Sequence, residues 1–559
     1  MKKYISAVLS VLLLLPSLIL PAAAGDETHC FAAASDLHYN QPREKLAGEI
    51  DDSLYWYANR RAAMEDESGF IIDEFLRQCA EDDAVEFVLI AGDMADNGRR
   101  ILREHLDVAE KFRRFERETG KQIYVIDGNH DVGTGSVCDL QDFKRIYAEF
   151  GYDRALAADG ESCSYTADLN EKYRLIALDS CDPAKSTEDG LTLSRVNWAV
   201  AQAKQAYADG KYPILMMHHN LLDHLPLQRV FSHDFIVRNH LATAARFADA
   251  GIRMVITGHE HCSDAVGYIS PLGNRIYDFA VTSLTMYPLQ YRYFSLTDDE
   301  IAYEPRTVSR IDTGALTEAT DGYSERQIAL MNEDMNAYAK GFLKKGVEYR
   351  LSLSLTPQKL GIDENAFYAG LVMKLVEKLT ALLNAPYYGD DSVSSLAAKY
   401  GIELPQTEYE TPWDLATELV SWHYAGEEHF EPGGDEVTLL LKTVAVIARA
   451  ELSSEDASSL LTAADALNAD GRADAPLAEA RKLLGGISPA EYFAVAAISP
   501  LLYEFAFDAD GVNDNRGTIP GYAGCGAAQR AENVVEALAA LFARIAKYLS
   551  VILSVIAGG

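Results

Sequence analysis

Positive charge is scarce in this sequence. Its 559 residues include 50 Lys and Arg against 84 Asp and Glu, which gives a formal net charge of -34. A surface of this sign repels DNA and RNA, because proteins bind both largely through lysine and arginine contacts with phosphates. The composition therefore argues against a nucleic-acid partner.

Paired cysteine motifs are also absent. The seven cysteines are spread singly along the chain, and none forms a Cys-x-x-Cys pair. This excludes a small disulfide scaffold and a cysteine-rich structural zinc site. An odd number leaves at least one thiol unpaired in a monomer, and the spacing predicts no particular bridge.

Apolar runs stand at both ends of the chain. Residues 1–24 begin with Lys2 and Lys3, continue as an apolar stretch and end in three alanines, a pattern that predicts a secretory signal peptide. A retained anchor is the alternative reading. We expect the protein to be exported, to the extracellular space, the cell surface or the periplasm.

The C-terminal residues 531–559 predict an amphipathic helix. Only the last twelve residues, from Tyr548 onward, are without charge, whereas a membrane-spanning helix needs about 20 apolar residues. This helix could touch a membrane peripherally through its apolar face. It could equally dock on its own domain.

Between these ends the pattern changes once. Residues 25–312 alternate short apolar runs with amphipathic stretches, which predicts an α/β domain. Residues 313–530 mostly repeat apolar residues at helical spacing, which predicts an α-helical accessory domain. No internal repeat of fixed period is evident.

Five of the apolar runs in the α/β part end in residues that bind metal ions. Ligands and active sites of α/β sheets gather at strand ends, so we expect these side chains to lie together. Imidazole, carboxylate and amide ligands without a thiolate suit Mn, Fe or Zn, and their number implies two ions. The residues are Asp36 and His38, Asp93, Asn129 with His130 and Asp131, His218, and His259 and His261.

These motifs, in this order, resemble the five-part signature of the calcineurin-like metallophosphoesterases over about residues 30–310. The resemblance implies a two-sheet sandwich flanked by helices, with a dinuclear metal centre at its edge. It assigns Asp36, His38 and His261 to one metal ion and Asn129, His218 and His259 to the other, with Asp93 bridging them. His130 would then be the general acid that faces the substrate, and Asp131 would hold the other nitrogen of its ring.

One position departs from the signature. Many relatives have proline after the histidine pair, whereas in this chain Asn220 follows His218 and His219. The choice of His218 over His219 as a ligand therefore stays open at this stage. The implied activity is hydrolysis of small phosphodiesters or phosphomonoesters by a metal-activated hydroxide. A nuclease of the same fold and a catalytically idle surface binding protein are the alternatives.

Overall fold

The structure, a computed structural model, describes most of the chain between residues 27 and 451 and one later segment. The described ranges are 27–41, 63–314 (except 186, 225–227 and 229–232), 323–354, 383–428, 434–451 and 512–523, with the single positions 370, 373 and 377. The predicted signal peptide (1–24) and the predicted C-terminal helix (531–559) lie outside these ranges.

Two mixed β-sheets form the centre of the first part of the chain. The first has the strand order β13-β12-β11-β1-β2-β3 and the second has the order β4-β5-β6-β7-β8-β10-β9. The strands are β1 (His29–Ala34), β2 (Val85–Ile90), β3 (Gln122–Val125), β4 (Ala157–Ala158), β5 (Tyr165–Asp168), β6 (Tyr173–Ala177), β7 (Tyr212–Met216), β8 (Met254–Thr257), β9 (Asp264–Ile269), β10 (Arg275–Ala280), β11 (Gln290–Leu296), β12 (Glu300–Thr307) and β13 (Gly517–Pro520).

Helices cover the sheets on the sides that do not face each other. In α1 the buried Ile71, Ile72, Phe75 and Leu76 recur at helical spacing, which gives the helix one apolar face. The helices of this part are α1 (Ser68–Glu81), α2 (Leu102–Thr119), α3 (Leu140–Ile146), α4 (Leu193–Ala208) and α5 (His240–Asp249). Helix α1 contacts β2 and helix α2 contacts β3 of the first sheet. Helix α4 contacts β7 and helix α5 contacts β10 of the second sheet.

The main core is shared by both sheets. Phe31 and Val88 from the first sheet and Ile214, Ile256 and Phe279 from the second are all buried in one apolar cluster. Burial of a side chain of this size contributes about 1.5–3 kcal/mol, so this layer fixes the two sheets against each other. The predicted two-sheet sandwich with flanking helices is confirmed.

Regular structure described between residues 323 and 451 is helical, in agreement with the predicted change of pattern. The helices are α6 (Glu325–Glu333), α7 (Met335–Ser354), α8 (Val393–Lys399), α9 (Pro412–Ala425) and α10 (Asp435–Glu451). Among the described residues, none of the helices combines the length and apolar character needed to cross a bilayer.

The helical part is attached to the sandwich at several points. The hydroxyl groups of Tyr323 and Tyr338 donate to the same carboxylate oxygen of Glu67. The N–H of Ser263, in the loop after β8, donates to the carbonyl of Tyr424 at the end of α9 over 3.0 Å. Burial raises the pKa of Glu67. A glutamate rarely lies in a protein interior without partners, and here the two tyrosine hydroxyl groups are its partners.

The predicted extent of the helical domain, residues 313–530, is wrong at its C-terminal side. Strand β13 pairs antiparallel with β12 and so completes the first sheet. Behind it, Tyr522 is fully buried and stacks on Tyr212 with ring centroids 4.8 Å apart. The chain therefore returns to the sandwich after the helical part, and the two parts share a core.

Replacing Tyr522 by alanine should lower the free energy of unfolding by about 3–5 kcal/mol, the usual cost of removing a large buried aromatic side chain. The variant also loses the hydrogen bond from the phenol to the carbonyl of Pro213, which spans 2.7 Å. Urea denaturation of the full chain measures the change. Tyr388→Ala is the matched control, because Tyr388 is 52% exposed, and an equal effect in both variants would contradict the shared core.

Candidate metal centre

Five strands deliver the predicted ligands to one edge of the sandwich. Strands β1, β2 and β3 are neighbours and run parallel, so their carboxyl ends share an edge. Strands β7 and β8 are parallel neighbours in the second sheet. The residues that follow these five strand ends meet where the edges of the two sheets meet.

One group of ligands comprises Asp36, His38 and His261. Their ligand atoms all lie within 4.8 Å of one another. Nε2 of His261 is 3.1 Å from Oδ1 of Asp36 and 3.2 Å from Nε2 of His38. Three donor atoms of hard and borderline type thus converge on a space that suits one transition-metal ion.

A second group comprises Asp93, His218 and His259, again with ligand atoms within 4.8 Å of one another. Nε2 of His218 is 3.3 Å from Oδ2 of Asp93 and 2.9 Å from Oδ1 of Asn129. The amide of Asn129 therefore belongs to this second group, as the resemblance implied.

Asp93 lies between the two groups. Its Oδ2 atom is 3.3 Å from Nε2 of His218 in the second group and 3.9 Å from Nε2 of His38 in the first. Its other oxygen, Oδ1, accepts the backbone N–H of His130 over 2.8 Å. The carboxylate is oriented by this hydrogen bond and reaches both groups, which is the position of a bridging ligand.

The charges of these groups strongly perturb one another. Burial alone would raise the pKa of Asp93, but the imidazoles of His218 and His130 lower it below the ordinary range. Burial opposes protonation of His218, yet the carboxylates of Asp93 and Asp36 raise its pKa to about 10. Without an ion, a proton on His218 would thus offset the charge of the carboxylates, and a cation would have to displace it in order to bind.

The donor set fits transition-metal ions. Oδ2 of Asp93 and Nε2 of His259 are buried and make no hydrogen bond to any residue that the structure describes. A buried carboxylate oxygen without a hydrogen bond is costly, and a coordinated cation would supply the partner that this oxygen lacks. The two groups would hold one ion each, with Asp93 shared between them.

Backbone strain is concentrated in this centre. Asp36, His38, Asp93, His259 and His261 all have positive φ, between 40° and 68°. Non-glycine residues in the left-handed region cost about 1–3 kcal/mol each and cluster at functional sites. Each of these residues lies two to four positions after the end of a buried strand, in the loops at the shared edge.

Glycines in the motifs allow the loops to approach closely. A Cβ atom on Gly258 would lie 1.9 Å from Oγ of Ser35 and 2.4 Å from Oδ2 of Asp36. A Cβ atom on Gly128 would lie 2.1 Å from Oδ1 of Asp93. These two positions must therefore remain glycine if Asp36 and Asp93 are to keep their places.

Gly258→Ala should weaken metal binding about 10- to 100-fold, as substitutions that disturb the surroundings of metal ligands do. The added methyl group would push Asp36 away from His261. Equilibrium dialysis against Mn²⁺ or Zn²⁺, followed by elemental analysis, measures the change. Gly160→Ala serves as the control, since a Cβ atom there would meet no atom within 4 Å. Unchanged affinity in Gly258→Ala would contradict the assigned role of Asp36.

His130 lies at the accessible side of the centre. Its side chain is 26% exposed, whereas those of Asp36, His38, Asp93 and His218 are almost completely buried. A ring nitrogen of His130 lies within 4.8 Å of ligand atoms of His38 and Asp93. The predicted position of His130, beside the ions and open to a substrate, matches this arrangement.

The predicted role of Asp131 is wrong. Nδ1 of His130 donates to the backbone carbonyl of Asp96 over 2.7 Å. The carboxylate of Asp131 instead accepts the N–H groups of Gly128, at 2.8 Å, and of Ala95, at 3.1 Å. Asp131 therefore ties the loop after β2 to the loop after β3, and Asp96 orients His130.

The choice between the adjacent histidines is resolved in favour of His218. Nδ1 of His218 donates to the carbonyl of Ala91 over 2.9 Å, which leaves Nε2 for the centre. The two ring nitrogens of His219 lie instead 2.9 Å from Oγ of Ser180 and from the carbonyl of Thr187. His219 is thus held away from the ligand positions.

Two residues of the centre were not predicted. Oδ1 of Asp96 is 3.0 Å from Nδ1 of His38, so one residue orients both His38 and, through its carbonyl, His130. The ring of Phe235 stacks on His259 at a centroid distance of 4.1 Å. Asp96 could have been found from the sequence, because it follows the motif residue Asp93 by only three positions. The segment around Phe235 carries no recognisable pattern.

Residues 31–263 match the sequence model of a family described as calcineurin-like phosphoesterase. A curated relative from Bacillus subtilis (strain 168), described as the uncharacterized metallophosphoesterase YhaO, is 33% identical over 101 residues. That match covers 18% of this chain and 22% of the relative, so the chain spans about a fifth of the relative's length.

Solved structures of phosphatases are similar at low sequence identity. A dimetal phosphatase from Danio rerio is 12% identical with a TM-score of 0.35, over 50% of this chain and 96% of its own. A purple acid phosphatase from seeds of yellow lupin (Lupinus luteus) is 11% identical with a TM-score of 0.32, over 50% and 52%. The likeness of this chain to the family rests on the sequence model and the curated relative.

Proposed function

We propose that this chain, whose residues 31–263 form a domain of the calcineurin-like metallophosphoesterase family, hydrolyses small phosphoesters outside the cytoplasm. The family prediction is confirmed for this domain. The class of enzyme, a metal-dependent phosphoric ester hydrolase, is proposed from the match of this domain to the family. The substrate, the location and the metal ions are proposed with it.

The observation that carries the proposal is the position of Asp93, which belongs to the second group of ligands and also reaches His38 of the first group. Each group offers three side chains with ligand atoms within 4.8 Å of one another. A pair of bound cations would supply the Lewis acid that lowers the pKa of water and offsets charge on the phosphoryl oxygens. Mn, Fe and Zn are the ions that this mixture of oxygen and imidazole ligands favours.

In this proposal His130 acts on the substrate. Its Nδ1 proton is held by the carbonyl of Asp96, so the ring is fixed in orientation. In the imidazolium form the ring carries a second proton, on Nε2, which can pass to the leaving oxygen as general acid. Asp96 is then a positioning residue, because it acts through His130 and His38 rather than on the substrate.

Small substrates are favoured over nucleic acids. The net charge of -34 works against the approach of a long polyanion, whereas a single phosphoester carries too little charge to be repelled strongly. The nuclease alternative would need a basic path along the surface. Both phosphodiesters and phosphomonoesters remain within the proposal, since bound cations would offset charge on the phosphoryl oxygens in either class.

A panel of chromogenic esters tests the proposed activity. Metal-stripped protein would receive Mn²⁺, Fe²⁺, Zn²⁺ or Mg²⁺ and then be assayed with an aryl phosphomonoester, an aryl phosphodiester and single-stranded DNA. We expect metal-dependent turnover of at least one small ester and little cleavage of DNA. Cleavage of DNA alone would favour the nuclease, and no turnover of any substrate by metal-loaded protein would favour the idle binding protein.

Export is proposed from the signal-peptide pattern of residues 1–24. We also propose that residues 531–559 contact the membrane surface peripherally, through the apolar face of the predicted helix. Cell fractionation followed by N-terminal sequencing of the mature protein tests the first point, and we expect cleavage near Ala24. Vesicle sedimentation with and without residues 531–559 tests the second, and equal binding of the two forms would contradict it.

A further inference from the structure

A second cluster of metal-ligating side chains lies behind the candidate metal centre. Asp127 follows β3 in the first sheet, whereas Asp179 and Cys181 follow β6 in the second. Their ligand atoms lie within 4.8 Å of one another, and all three residues are buried, at most 2% exposed. None of them takes part in the hydrolytic centre described above.

Asp127 is the feature of this cluster that points to a bound cation. Both oxygens of its carboxylate are buried, and neither makes a hydrogen bond to any of the residues that the structure describes. Buried carboxylates are normally hydrogen-bonded or paired with a cation. The side chain faces Asp179 and Cys181 within coordination range, so an ion among the three would satisfy it.

Asp179 and Cys181 are already held in place by their surroundings. The carboxylate of Asp179 accepts the backbone N–H groups of Cys163, at 3.0 Å, and of Cys181, at 2.9 Å. Sγ of Cys181 lies 3.8 Å from the backbone carbonyl of Asp127. The cluster is therefore built before an ion binds, with two carboxylates and one thiol as donors.

The charges around this cluster would also be balanced by a divalent cation. Nη1 of Arg195 is 3.4 Å from Oδ1 of Asp179, and its single positive charge cannot balance two carboxylates. If Cys181 binds as a thiolate, the three negative groups are balanced by Arg195 and one divalent ion. A sulfur ligand beside carboxylates favours Zn²⁺ or a similar borderline ion over Mg²⁺ or Ca²⁺.

We propose that Asp127, Asp179 and Cys181 bind a third divalent cation of the Zn²⁺ type, separate from the pair joined by Asp93. Because Asp127 and Cys181 belong to strand ends of different sheets, the ion ties the two sheets together. Asn129 and His130 follow Asp127 directly in the chain, so the ion also steadies the loop that carries them. Its role is structural, and it does not take part in the hydrolysis.

A proton is the competing occupant. Burial next to Asp179 and Asp131 raises the pKa of Asp127, so a neutral carboxylic acid could fill the same place without any metal. The two occupants differ in a way that can be measured, because only an ion draws the thiolate of Cys181 into its coordination. The ligands of the hydrolytic centre include no sulfur, so a metal–thiolate signal would not come from it.

Cobalt substitution provides the test. The full chain, stripped of metal and kept reduced, would be titrated with Co²⁺ while the near-ultraviolet absorption is recorded. We expect a thiolate-to-cobalt charge-transfer band in the wild type, its loss in Cys181→Ser, and its retention in the matched control Cys163→Ser. Cys163 is equally buried, and it contacts Asp179 through its backbone N–H.

Elemental analysis supplies the second measurement. Wild-type protein saturated with Zn²⁺ should hold three ions per chain, and Asp127→Asn should hold two and keep its hydrolytic rate within a few-fold. If either substituted protein fails to fold, as judged by circular dichroism, the other carries the test. Absence of the charge-transfer band, or its persistence in Cys181→Ser, would overturn the proposal, and two ions in the wild type would assign a proton to Asp127.

Discussion

Asp93→Asn is expected to abolish phosphoester hydrolysis and to lower the metal content of the protein. The amide keeps the shape of the carboxylate but removes the charge that would join two cations, so both lose a ligand. Stabilisation by a metal pair is worth several kcal/mol, and its loss corresponds to about a 1000-fold decrease in kcat/KM or more. Steady-state kinetics and elemental analysis of the same preparation measure both effects.

Asp153→Asn is the matched control for this substitution. Asp153 is exposed in a short 3-10 helix of the same domain, Tyr152–Arg154, and neutralising it should change neither activity nor metal content. If Asp93→Asn hydrolysed esters at the wild-type rate, the bridging position of Asp93 would have no chemical consequence and the proposed site would have to be abandoned.

His130→Ala should reduce kcat by about 100- to 10,000-fold, the usual contribution of a general acid, while the metal content stays the same. The reason is that His130 is oriented by Asp96 toward the open side of the centre rather than enclosed within it. The loss should be greatest for esters with alkyl leaving groups. It should be small for p-nitrophenol, which leaves without protonation.

This dependence on the leaving group separates catalysis from structure. A purely structural role of His130 would slow all esters to the same extent. If His130→Ala instead lost metal, His130 would be a ligand, in keeping with its position within 4.8 Å of ligand atoms of His38 and Asp93.

Strand positions and the meeting of the proposed ligands at one edge were predictable because they depend on local patterns. The apolar run of β2 ends abruptly in Gly92-Asp93, and each of the other four motifs also follows a buried strand. Parallel strands bring their carboxyl ends to one edge, so residues far apart in sequence could be placed together. The sandwich fold followed from the same resemblance and is confirmed.

The contact of His130 with Asp96 rather than Asp131 was not predictable from spacing. Asp131 is adjacent to His130, which suggested a direct contact. The loops after β2 and β3 instead place the carbonyl of Asp96 on Nδ1 of His130, while Asp131 turns inward to backbone N–H groups. Hydrogen bonds between loops depend on backbone conformation, which side-chain type alone does not specify.

Strand β13 was missed for a different reason. It contains only four residues, follows a long helical part of the sequence, and pairs with β12 about 200 positions earlier. Such a pairing depends on the complementary edge of a sheet rather than on a strong local propensity. Tyr522, which anchors this segment, likewise gives no local sign of its burial.

Electron paramagnetic resonance of the Mn²⁺-loaded protein tests the central claim most directly. The measurement is best made in Cys181→Ser, so that the additional cation site does not contribute. Two ions joined by Asp93, separated by about 3.5–4 Å as in other two-metal sites, should give an exchange-coupled signal at saturation. A spectrum of isolated Mn²⁺ at every loading would contradict the paired centre and the mechanism that depends on it.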